Sequence, residues 1–142
     1  MSTFTAIFDA CVLYPAPLRD LLIQLATTEL FRARWTDEIH GEWISSVLRD
    51  RPDLKRAALE QTKKLMNAAV LDCLVEGYEY LVPSIELPDA ADRHVVAAAI
   101  HGHCDAIVTF NQRDFPADYL DTLQAQSLTK TVAVLRRWQA IL

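Results

Sequence analysis

No apolar run in the chain approaches the roughly 18–20 residues needed to cross a bilayer. The N-terminus carries no basic segment followed by an apolar stretch and a small-residue cleavage site, so no signal peptide is visible. Cysteine is sparse: Cys11, Cys73 and Cys104 are odd in number, widely spaced and form no CxxC pair. That argues against a disulfide frame and for reduced thiols, so a cytoplasmic location without a membrane partner is expected. There is no repeat, no low-complexity stretch and no linker long enough to divide the chain. Ser45 and Ser46 have no aligned His and Asp partners, so no catalytic triad is argued. The stretch HGHC at 101–104 lacks a second half with ligand spacing, which leaves zinc poorly supported.

Positive charge is missing from one long window. Residues 72–121 hold ten acids against only Arg93 and Arg113, whereas residues 1–71 balance nine acids with nine bases. A single-sign field of this kind repels itself and attracts cations. Residues 49–64 run the other way: Arg49, Arg51, Lys55, Arg56, Lys63 and Lys64 stand against three acids. This is the main candidate face for a polyanion, or else a solvated helix face.

The 142 residues are 51% hydrophobic and 23% charged, which fits one soluble globular domain over 1–142. FTAIFD (4–9) reads as a strand, LRDLLIQLA (18–26) as a helix opened by Pro17, and LFRARW (30–35) as a half-buried strand. Thr36 and Asp37 offer caps for a helix over 37–48, and Pro52 and Asp53 start another that runs to about Val70. Residues 71–87 are ambiguous. PDAADRHVVAAAI (88–100) reads as a buried helix with Asp89 as its cap, ended by Gly102. DAIVTF (105–110) is a buried strand, NQRDFP (111–116) a turn, and a C-terminal helix is expected over about 128–140. Alternation of strands and helices predicts an α/β fold with a parallel sheet covered by helices.

In such sheets ligands bind at the carboxyl ends of the strands. Asp9 ends the first strand, Glu42 lies in a helix, Asp92 opens the alanine-rich helix, and Asn111 and Asp114 follow the strand at 105–110. Carboxylates gathered in one place repel each other unless cations neutralise them. Hard cations such as Mg²⁺ and Mn²⁺ take oxygen ligands, and two of them roughly 4 Å apart activate water at a phosphodiester. Spacing alone does not separate this reading from a structural role, since acids at strand ends are common. Glu38, one turn before Glu42, competes for the helix position.

IFDACVL, EIHGEWISSVL, LPDAADRHVVAAAI and IVTFNQRDFP together resemble the PIN-domain family, including the ribonuclease toxins of VapC-type toxin–antitoxin modules. The resemblance spans residues 4–116. It implies a three-layer α/β/α fold around a parallel sheet of four or five strands. It also implies an Mg²⁺- or Mn²⁺-dependent endoribonuclease acting on RNA, with a cognate antitoxin and a homodimer as partners. Asp9, Glu42 and Asp92 match the family's first three acids, with Asp9 and Asp92 as metal ligands. Asn111 stands where many members have the fourth acid; its amide oxygen can ligate but brings no charge. Asp114 is then the candidate to supply that charge, Thr109 to position an acid or water, and Arg49, Arg51, Lys55 and Arg56 to meet RNA. Two alternatives stay open: a non-catalytic PIN-like protein-binding module, and a haloacid-dehalogenase-type phosphatase. The second needs an aspartate two residues after Asp9, where this chain has Cys11.

Overall fold

The computed structural model describes residues 4–124 and 131–134. The elements run β1 (Thr5–Phe8), α1 (Ala10–Leu13), α2 (Ala16–Thr27), β2 (Arg32–Arg34), α3 (Asp37–Asp50), α4 (Arg56–Ala69), α5 (Arg93–His101), β3 (Ala106–Thr109), α6 (Ala117–Gln124) and β4 (Thr131–Val134). The four strands form one parallel sheet in the order β2-β1-β3-β4. This is the expected α/β class, with the strand count at four.

The sheet is covered on both faces where it matters. Successive strand side chains point to opposite faces. In β1 and in β3 all four residues are buried, so neither face of the sheet centre meets water. The helix α5 packs against both β1 and β3, and α2 packs against β2. Every residue of α5 from His94 to Ile100 is buried, as its nearly unbroken apolar sequence requires.

Two expectations need correction. The C-terminal helix expected over about 128–140 is a strand at Thr131–Val134; the rest of that span lies outside the described residues. TVAV is rich in β-branched residues, and it pairs with β3 from Ala106 to Thr109, which would otherwise be an open parallel edge. The helix expected from Pro52 begins only at Arg56. Arg51 grips Asp53 through Nε at 3.0 Å and Nη2 at 2.8 Å, and Leu54 N–H donates to the Arg51 carbonyl, so residues 51–54 form a turn first.

A buried polar network fixes α3. Trp43 Nε1–H donates to His40 Nδ1 at 2.9 Å, which leaves the imidazole hydrogen on Nε2. That N–H donates to Asn67 Oδ1 on α4 at 2.9 Å, and Trp35 Nε1–H donates to the same oxygen at 2.8 Å. His40, Trp35 and Trp43 are all at most 1% exposed, and burial pushes the His40 pKa below its ordinary value. Asn67→Ala strips two buried donors of their acceptor. Urea denaturation should show a loss of about 2–3 kcal/mol; a loss below about 0.5 kcal/mol would contradict this role for the network.

Candidate active site

The chain passes from β1 to β2 on one side and then crosses back to β3 on the other. The reversal lies between β1 and β3, the crevice where open parallel sheets take ligands at their carboxyl ends. Asp9 follows β1 there, and Thr109, Phe110 and Asn111 stand at the same end of β3.

Asp9 is 6% exposed and tightly held. Its backbone N–H donates to the Val108 carbonyl at 3.0 Å. Its Oδ1 accepts the Ala10 N–H at 2.8 Å, capping α1, and its Oδ2 accepts the Thr109 hydroxyl at 2.9 Å. Burial pushes the carboxyl above the usual carboxylate range; the Thr109 and Ala10 bonds pull against that, and the Glu42 charge adds to it. Thr109 is fully buried and accepts the Asn111 N–H at 3.0 Å, so one hydroxyl joins Asp9 to the chain beyond β3. The Cys11 thiol lies 3.6 Å from Asp9 Oδ2. Burial and then the Asp9 charge push its pKa up to about 12, so Cys11 is neither a thiolate nor an acid–base group near neutrality. The phosphatase reading therefore has no acid–base residue two positions after Asp9.

Asp92 ends a single 3₁₀ turn, Ala90–Asp92, from which α5 continues. Asp89 caps that turn, accepting the Ala91 N–H at 2.9 Å, while the Asp92 carboxylate makes no capping bond. Its pKa is pushed up to about 7, by burial first and then by the charges of Asp9, Asp89, Asp114 and Glu42. Asp114 reaches the group from the 3₁₀ turn Gln112–Asp114 after β3. Among the described residues no lysine or arginine forms an ion pair with Asp9, Glu42, Asp92 or Asp114.

Glu38 and Glu42 part company in the structure. Glu38 Oε1 accepts the Tyr78 hydroxyl at 2.8 Å. Glu42 faces the cluster and raises the pKa of both Asp9 and Asp92. Glu42 Oε2 accepts an N–H from His94 Nε2 at 3.0 Å, while His94 Nδ1 is buried without a hydrogen-bond partner, 3.8 Å from Glu38. Burial opposes charge on His94, but the bond and charge of Glu42, with Glu38 and Asp9, outweigh it and hold its pKa above the ordinary value. The sequence signal for His94 is its position two residues after Asp92, but its partner Glu42, on α3, is invisible in local spacing.

The remaining candidates spread out. Asn111 is exposed and lines a cleft beside Asp9, and Arg49 lines the same cleft. Arg51 is held by Asp53, Lys55 precedes α4, and Arg56 lies 3.8 Å from Glu60; all three are exposed. Oxygen donors without a paired lysine or arginine suit a hard divalent ion in their chemistry. Among the described residues, though, no three His, Cys, Asp or Glu side chains close on one point as a finished metal cage.

A doubly wound parallel sheet with a carboxylate cluster at its switch point defines the class. The PIN-domain sequence model matches residues 5–113, and the chain belongs to the PIN-domain family. The fold is similar to that of the VapBC2 complex of Rickettsia felis, solved bound to a DNA fragment from its promoter. That likeness has a TM-score of 0.50 and 13% identity, and covers 79% of this chain and 91% of that one. No curated protein matches the chain.

The acid cluster has a stability signature. The folded pKa of Asp92 lies above its ordinary 3.8, so protonation favours the fold. That contribution is complete below about pH 3.8 and is lost as the pH rises through about 7. Asp92→Asn removes the repulsion. In thermal melts without divalent metal, its Tm should exceed that of wild type by about 2–5 °C at pH 8, with a smaller gain at pH 5 and none below about pH 3.8. An equal or lower Tm at pH 8 would contradict the mutual repulsion.

Proposed function

We propose that the protein is a divalent-metal-dependent endoribonuclease and the toxin of a toxin–antitoxin pair. The observation that carries the reading is the gathering of four carboxylates, Asp9, Glu42, Asp92 and Asp114, with no lysine or arginine paired to them among the described residues; burial first, and then the charges of Asp9, Asp89, Asp114 and Glu42, push the Asp92 pKa up to about 7. Asp9 and Asp92, with the Asn111 amide oxygen, would hold Mg²⁺ or Mn²⁺. Such an ion supplies Lewis acidity at a phosphodiester and lowers the pKa of water.

The chain's own residues do the rest. Thr109 and the Ala10 N–H lock both Asp9 oxygens, so this carboxylate keeps one orientation. His94 holds Glu42 toward the cluster, and Tyr78 keeps Glu38 out of competition. Asp114 adds negative charge where Asn111 brings none. Membership in the PIN family and the VapBC2-like fold support a toxin partnered by an antitoxin, and a homodimer is part of the same reading. No helix among the described residues is long and apolar enough to cross a membrane, and a cytoplasmic place of action belongs to the proposal.

Cleavage of labelled single-stranded RNA in Mn²⁺ tests this. Chelator should abolish it, and Asp9→Asn should lower the rate by about a hundredfold or more. Cleavage that survives chelation, or a fully active Asp9→Asn protein, would overturn the mechanism.

A further inference from the structure

Two clefts flank the acid cluster, and they differ in charge. The helix α3 links them: Glu38, Glu42, Ser46 and Arg49 follow one another at intervals of four, four and three residues, which places them along one face. Glu38 lines one cleft, of about 630 Å³, together with Glu79, Arg93 and His94. Ser46 and Arg49 line the other, of about 610 Å³. Glu42 falls between the two. The first cleft presents two carboxylates beside one guanidinium and lies in the strongly acidic part of the chain, so a polyanionic strand gains little there.

The second cleft is less acidic, with Arg49 offsetting Asp50. It opens at the switch point, floored by Cys11 after β1 and by Phe110 and Asn111 after β3. Tyr14 lines it, and its hydroxyl donates to Asp50 Oδ2 at 2.6 Å, so the ring is anchored at its far end. Arg49 is exposed, with only a 3.8 Å contact to Asp50, and so keeps its guanidinium available. Asn111 is exposed, while its backbone N–H is fixed to the Thr109 hydroxyl that also holds Asp9. An anchored aromatic ring, an exposed guanidinium and an amide on a fixed backbone, directly beside the acids, match a nucleotide: π-face, phosphate and base edge.

We propose that this cleft is a nucleotide subsite of the nuclease, taking the nucleotide next to the scissile phosphate of single-stranded RNA. Tyr14 stacks the base, Arg49 meets the flanking phosphate, and the Asn111 Nδ2 hydrogens donate to the base edge, leaving Oδ1 to the metal. This rests on the ribonuclease reading above and adds where and how the strand is held. It gives Asn111 a role in specificity at the position where the acid is missing.

The test uses the full chain carrying Asp9→Asn, which keeps the RNA intact, and fluorescence anisotropy of a short labelled single-stranded RNA across a salt series. Tyr14→Leu in that background should weaken binding about tenfold without changing the salt slope, while Tyr14→Phe binds as the parent does. Arg49→Ala should weaken binding and lower the slope by about 0.7, one phosphate's share on a single strand. Asn111→Ala should flatten the preference among RNAs that differ at a single base. Thermal melts confirm that each variant is folded. If the parent binds RNA and Tyr14→Leu and Arg49→Ala bind equally well, the subsite is overturned and the nuclease reading stands. If the parent binds no RNA, both fall.

Discussion

Asp9 keeps a carboxylate out of water at the carboxyl end of β1, and the site is arranged around that cost. An isolated buried charge is expensive, and hydrogen-bond donors relieve only part of it. Here the donors are the Ala10 N–H and the Thr109 hydroxyl. They come from the residue that follows Asp9 after β1 and from the last residue of β3, so satisfying Asp9 also pins the two central strands at the end where the strand order reverses. The strand register that puts Phe8 opposite Val108 is what brings Thr109 within reach.

The other acids follow from this placement. α5 packs on β1 and β3, which sets its first residues, and Asp92 with them, over the same end of the sheet. α3 contributes Glu42, turned inward by His94 of α5. The buried His40–Trp43–Asn67 network fixes the first half of α3, the part that carries Glu38 and Glu42. The protein thus uses ordinary packing to hold like charges together. Burial first, and then the resulting repulsion, raises the Asp92 pKa. In the proposed reading a divalent cation would convert that liability into binding.

Much of this was legible in the sequence, for local reasons. The strands at 5–8 and 106–109, the capped helix from 37 and the alanine-rich helix carry their signals in composition and spacing. Asp9 stood out because a carboxylate closed an apolar run. The misread parts depend on distant partners. Helical periodicity over 128–140 competed with the β-branched TVAV, and a neighbouring open strand edge decided for the strand over 131–134. Glu38 and Glu42 are equivalent by spacing, and only Tyr78 and His94, 40 and 52 residues away, separate them. The Tyr14 cleft was invisible because three separate segments build it.

The central claim is that the cluster is a cation site. Isothermal titration of Mn²⁺ into the metal-free protein at pH 7.5 tests it directly, with Asp9→Asn as the control. Saturable binding to wild type, weakened about tenfold or more in Asp9→Asn, is the predicted result. No Mn²⁺ binding to wild type, or equal binding to both proteins, would contradict the account.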